Sequence, residues 1–135
     1  MRDKENTNGF SEANGNLKIL LVDDEAAFVN IIAKRLSKRN FDVTCALSGT
    51  EAIQVLRKED FDMCLLDLKM EDMNGIEVLK IFKKMVPGMP VVMLTGHGSI
   101  ESAREGLDCG AFDYLSKPYD LEDLIKKIHE AVNRR

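Results

Sequence analysis

The stretch Phe61-Asp62-Met63-Cys64-Leu65-Leu66-Asp67 constrains the chain more than any other. Four consecutive apolar residues, Met63 to Leu66, run directly into a carboxylate, the pattern of a strand buried on both faces that surfaces at its C-terminal end. Three further stretches repeat it: Ile19 to Val22 runs into Asp23-Asp24, Val91 to Leu94 into Thr95, and Ala111 to Leu115 into Ser116-Lys117-Pro118. In an open parallel sheet such ends converge on one crevice, where ligands bind. Three acids, a hydroxyl and an amine are therefore expected to meet there.

The segments between these runs read as helices. After Asp23-Asp24-Glu25, the residues Phe28, Ile31, Ile32 and Leu36 recur at helical spacing and predict an inward stripe, with Lys38-Arg39-Asn40 as its cationic end. Phe41 to Ala46 alternates, with Asp42 and Thr44 polar, and reads as an edge strand. Ser48-Gly49-Thr50-Glu51 is a capping box opening a helix through Ala52, Ile53 and Leu56 to about Lys58. A charged loop from Leu68 to Gly75 leads to a helix facing inward through Ile76, Leu79 and Phe82, which Pro87-Gly88-Met89-Pro90 stops. Ser99 can cap a helix through Ala103 and Leu107 that ends at Gly110, and Gly106 makes it a weak one. Asp120 is the expected N-cap of the last helix, whose inner stripe is Leu121, Leu124, Ile125, Ile128 and Val132.

Five strands alternating with five helices predict an α/β sandwich around a parallel sheet. Right-handed crossovers and a polar second strand favour the doubly wound, flavodoxin-like order 2-1-3-4-5, which sets Asp23 and Asp24 beside Asp67.

The 135 residues suit one domain. Residues 1–16 are polar and read as a disordered tail before a domain over 17–135, with no output domain within this sequence. The tail lacks the apolar core of a secretory signal, so a cytoplasmic location is the default. No apolar run approaches the ~20 residues of a membrane span. A net charge of −4 without a basic block argues against direct nucleic-acid binding. Cys45, Cys64 and Cys109, odd in number and without ligand spacing, read as incidental thiols.

Three close carboxylates repel one another, and a divalent cation resolves the repulsion. Oxygen-only ligands suit Mg²⁺, which takes one or two carboxylates together with phosphate oxygens. Lys117 and Thr95 then offer a cation and a hydroxyl to a phosphoryl group, and Asp67, at the centre, is placed as nucleophile.

Val22-Asp23-Asp24-Glu25, Leu65-Leu66-Asp67-Leu68-Lys69-Met70, Leu94-Thr95-Gly96-His97-Gly98 and Phe112-Asp113-Tyr114-Leu115-Ser116-Lys117-Pro118, in this order, resemble the receiver domain of bacterial two-component response regulators. The resemblance spans about Leu17 to Val132. It implies that Asp67 accepts a phosphoryl group, and that Asp24 and Asp67 bind Mg²⁺ with the backbone carbonyl of Lys69 while Asp23 assists through water. It also implies that Thr95 and Lys117 contact phosphoryl oxygens and that Tyr114 is an aromatic switch. The implied donor is a sensor histidine kinase or phosphotransfer protein. The implied readout is an output domain, target protein or phosphorylation-dependent homodimer acting on the surface from about Ser99 to Val132.

Many such domains carry proline four residues after the acceptor, where this chain has Glu71. Taken singly, Lys117 is open to a reading as a solvated turn lysine and Thr95 as a helix-entering hydroxyl, Tyr114 in an apolar strand is more often core than switch, and His97 between two glycines reads as an exposed loop residue in preference to a general base. Two other functions fit the fold less well. A flavodoxin-like cofactor site would meet Asp23-Asp24-Glu25 where it needs amides for a phosphate. An aspartate-nucleophile phosphatase wants a second aspartate two residues after the first, and Lys69 stands there.

Overall fold

The computed structural model describes residues 16–96 and 100–134. Ten elements alternate: β1 Leu17–Val22, α1 Ala26–Ser37, β2 Phe41–Ala46, α2 Gly49–Lys58, β3 Met63–Asp67, α3 Gly75–Met85, β4 Val91–Thr95, α4 Ile100–Asp108, β5 Asp113–Ser116 and α5 Leu121–Asn133. The sheet is parallel throughout, in the order β2-β1-β3-β4-β5. This is the order expected from the chain's patterning. The readings of residues 1–15 as a tail, His97 as a loop residue and Ser99 as a cap fall outside the described residues.

The central strand is buried from Met63 to Asp67, as a continuous apolar run with helices on both faces requires. Its alternating side chains divide two cores. Leu20, Val22, Cys64, Leu66 and Met93 meet α2 and α3 through Ala52, Leu56, Val78, Leu79 and Phe82. Ile19, Leu21, Met63, Leu65 and Leu94 meet α1 and α5 through Val29, Leu36, Leu124 and Ile128. Leu66 is wholly enclosed, so Leu66→Ala would cost ~2–5 kcal/mol. Cys64 is equally enclosed and burial pushes its thiol pKa up, consistent with an inert thiol.

Several expectations are corrected. On α1 the buried residues are Val29, Ile32 and Leu36, and Ile31 is 52% exposed, because the stripe follows 29-32-36 and turns Ile31 to the rim. On α4 the inward residues are Ala103 and Gly106, with Leu107 turned outward. A Cβ on Gly106 would lie 2.0 Å from the Met93 sulfur, so this glycine lets α4 lie close against β4. The fifth strand begins at Asp113 and not Ala111, and only partly buries its residues, as the second edge of the sheet.

Capping chemistry explains the helix starts. Ser48 Oγ accepts from Glu51 N at 3.0 Å, while Glu51 Oε1 accepts from Leu47 N at 2.7 Å, one residue before the capping-box position. Asn74 caps α3 by accepting from Ile76 N at 2.8 Å. Asp120 occupies the N-cap position of α5 without a side-chain bond to the helix.

Candidate functional site

Parallel pairing determines which side chains meet at the rim. Val22 pairs with Leu66, Asp67 with Leu94 and Thr95 with Ser116, so β1, β3, β4 and β5 all end at one edge. Asp23 and Asp24 leave β1 there, Asp67 and Thr95 finish β3 and β4, and Lys117 follows β5. Asp23, Asp67 and Thr95 are buried, and Asp24 is half-buried. Carboxylate oxygens of Asp23, Asp24 and Asp67 lie within 4.8 Å of one another.

Lys117 partly offsets this concentration of charge. Its Nζ is 3.1 Å from Asp23 Oδ2, 3.7 Å from Asp67 Oδ2 and 3.9 Å from Glu25 Oε1. It also stands 4.7 Å from the centre of the Phe28 ring, a cation–π contact. A backbone bond from Lys117 N to Thr95 O, at 2.7 Å, ties the base of this side chain to β4. The Lys117–Pro118 peptide is cis.

Each acid also accepts a main-chain amide. Asp23 Oδ1 takes Glu25 N at 3.0 Å, Asp67 Oδ1 takes Lys69 N at 3.3 Å and Asp24 Oδ2 takes Glu71 N at 3.1 Å. The amides and Lys117 do not fully compensate Asp67. Burial foremost, and then the charge of Asp23, push its pKa up to about 6 against the opposing pull of Lys117 and the Lys69 amide.

A cleft of 290 Å³ opens over these groups, lined by Asp24, Glu25, Asp67, Lys69, Gly96 and Lys117. Beside it lies an apolar hollow of 430 Å³ that shares Gly96 and Lys117 and adds Phe28, Ile31, Ile32 and Tyr119. The Tyr119 ring meets Phe28 edge-on, with centroids 6.2 Å apart. Its buried hydroxyl has no hydrogen-bond partner among the described residues, and burial together with the charges of Asp23 and Asp67 raises its pKa.

The donor set fits a hard divalent cation, since the cluster among the described residues offers three carboxylates and no nitrogen or sulfur ligand. Asp23, Asp24, Asp67 and Lys117 are thus brought together as the sequence predicts. Thr95 is buried at the end of β4 beside them, and Tyr114 lies two residues upstream of its partner Ser116, half-buried beside the α2–α3 core. The sequence reading missed the aromatic pair beside Lys117, although Phe28 in the first turn of α1 and Tyr119 after Pro118 were visible. It missed Asn74 as a cap, for which Asn before Gly was the signal. It also missed Asp72, whose partners Gly49 and Thr50 are distant in sequence and gave no local signal.

A family model described as the response regulator receiver domain matches residues 19–129. The transcriptional regulatory proteins GlrR and ZraR of Escherichia coli K12 are 37% and 38% identical to this chain over 116 and 117 residues. Those matches cover 86% and 87% of this chain but 26% of each relative, so the chain spans about a quarter of their length. A CheY-like receiver domain structure from Methanospirillum hungatei JF-1 superposes with a TM-score of 0.84 at 34% identity, covering 88% of this chain and 95% of that one.

Proposed function

The chain belongs to the response regulator receiver domain family, phosphoacceptor domains of two-component signalling, and from that premise we propose that Asp67 is its acceptor. The observation that carries this reading is the enclosure of Asp67 at the end of β3, with Lys117 3.7 Å from its carboxylate and two further acids in reach of the same ion. Asp24 and Asp67, with the carbonyl of Lys69, would hold Mg²⁺, and Asp23 would assist through water. Bound there, the ion would supply the positive charge that three close carboxylates and an incoming phosphoryl group require.

The residues of the chain supply the rest. Asp67, ionised and in line with the incoming group, attacks the phosphorus of a phosphohistidine. A P–O bond forms, the P–N bond breaks, and the departing imidazole nitrogen keeps the bonding pair and takes a proton from solvent. Lys117 and Thr95 meet the charge on the transferred oxygens. No second aspartate stands two positions after Asp67, where Lys69 lies, which supports a signalling role over turnover of external substrates.

The partner that delivers the group is a histidine kinase or phosphotransfer protein in the cytoplasm, and the apolar hollow with exposed Ile31 beside the cleft offers it a surface. The readout is the face made by α4, β5 and α5. Thr95 stands at the root of α4, and a hydroxyl drawn toward the phosphoryl group leaves space for the half-buried Tyr114 on the adjoining strand. An output domain, a target protein or a second copy then selects the phosphorylated arrangement.

Intact mass spectrometry with acetyl phosphate tests the acceptor. Wild type gains one phosphoryl group only with Mg²⁺, and Asp67→Asn gains none. A normal yield in that variant, or with Mg²⁺ chelated, refutes the assignment. Amide NMR with beryllofluoride tests the switch, which fails if α4, β5 and α5 stay silent.

A further inference from the structure

We infer that the backbone amide of Glu71 is a positioning group for the cation site, fixing the Asp24 carboxylate toward Asp23 and Asp67. The inference rests on the cation reading above and deepens it. Each acid of the cluster accepts one main-chain amide, but the three bonds differ in origin. Those to Asp23 and Asp67 come from two residues downstream and form locally. The bond to Asp24 crosses 47 residues, from Glu71 in the loop between β3 and α3.

Asp24 depends on that bond more than its neighbours depend on theirs. Asp23 and Asp67 are buried and face Lys117 at 3.1 and 3.7 Å. Asp24 is half-buried, and the Glu71 amide is the hydrogen-bond donor its carboxylate meets among the described residues. Repulsion from the other two acids favours a rotamer that swings Asp24 into water, and a charge-assisted amide bond opposes that swing.

The loop is built to hold the donor in place. A Cβ on Gly75 would lie 2.5 Å from Leu68 Cα, so glycine lets the base of the loop close, with Gly75 N bonded to Leu68 O. Beyond Glu71, Asp72 accepts from Gly49 N and Thr50 N, each at 3.1 Å, and fastens the loop to the start of α2. Lys69, whose carbonyl belongs to the proposed ligand set, lies between the base and this anchor. One amide thereby aligns a carboxylate from β1–α1 with a carbonyl from β3–α3. Proline at position 71 could not donate this bond. The Glu71 side chain is exposed, so its charge can be removed without touching the amide.

The test is a Mg²⁺ titration followed by the backbone amides of the acid loops in NMR spectra of the whole chain. Glu71→Ala keeps the donor and is expected to bind within about 2-fold of wild type. Glu71→Pro loses it and is expected to bind about 10-fold more weakly than Glu71→Ala. Binding by Glu71→Pro equal to or tighter than that of Glu71→Ala overturns the inference. Absence of any Mg²⁺ binding in wild type defeats the cation reading itself, a separate result. Should Glu71→Pro not fold, hydrogen exchange of wild type decides: protection of the Glu71 amide that persists at Mg²⁺ saturation supports positioning. Exchange that accelerates on saturation shows the amide competing with the ion and overturns it.

Discussion

Asp67 ends β3 and Asp72 lies on the loop that follows it; they carry the same side chain, yet their surroundings drive them in opposite directions. Asp67 is buried beside Asp23, and the pKa of its carboxyl is pushed up to about 6. Asp72 is exposed and accepts the amides of Gly49 and Thr50 and the Thr50 hydroxyl, which hold its pKa below the ordinary value. The first arrangement costs stability, and it is the carboxylate proposed as the phosphoryl acceptor that bears this cost. The second contributes stability and does no chemistry, since it satisfies amides that the start of α2 would leave unpaired. A carboxylate in a loop therefore reveals its role through its donors and its burial.

The largest effect should come from relieving Asp67. In the unfolded chain its carboxyl titrates near ~4, whereas in the fold it holds its proton up to about 6. Between these values the folded state binds more protons, so stability falls as pH rises through that window and stays low above it. With a chelator present at pH 7, Asp67→Asn is expected to be more stable than wild type by about 1–2 kcal/mol in urea unfolding, and the gap should close by about pH 4. Added Mg²⁺ should raise the Tm of wild type and do so less for Asp24→Asn or Asp67→Asn. Equal stability of wild type and Asp67→Asn at pH 7 would remove the contrast with Asp72.

Asp67 was legible from sequence because a buried strand ending in an acid is a local pattern, and five strands alternating with five helices allow few topologies. The strand order followed from Asp42 and Thr44, which mark β2 as an edge. What stayed hidden depended on rotation or distance. Periodicity alone could not decide between stripes 28-31-32-36 and 29-32-36 on α1, because Ile31 is apolar yet lies at the rim of the hollow beside Lys117. Gly106 read as a weakness of α4 because its reason, the Met93 side chain, sits on another element. Glu71 stood out as a departure from a common proline, but the inferred use is made by a backbone amide, which every residue type except proline carries.

Removing the Asp72 carboxylate should produce a smaller effect of the opposite sign. Asp72→Ala takes an acceptor from the start of α2 and is expected to cost about 1 kcal/mol. A lowered pKa means that this contribution is complete above the unfolded value near ~4 and is lost only as pH falls through the folded one. The cost should thus be constant between pH 5 and 7, whereas the contribution of Asp67 is still changing as pH rises from 5 to about 6. Phosphorylation of Asp67 should persist in Asp72→Ala. Urea unfolding at several pH values checks this, and a penalty that varies between pH 5 and 7 would show that the two acids are coupled through the loop.

The finest division lies within the Asp72 anchor. Thr50 gives Asp72 both its backbone amide and its hydroxyl, each at 3.1 Å from Oδ2. The amide is one of the unpaired donors of α2, whereas the hydroxyl is exposed and could bond to water equally well. Its loss should matter little, since exchanging a protein partner for solvent is nearly even at an exposed site. Thr50→Val preserves shape and both amides, and is expected to cost no more than about 0.5 kcal/mol. A penalty as large as that of Asp72→Ala would mean that the hydroxyl, and not the helix amides, holds the loop, and that the cap is a side-chain pair in its own right. With the amides in control, Thr50→Val should also leave the protection of the Gly49 and Thr50 amides unchanged in hydrogen exchange, because their acceptor is still in place.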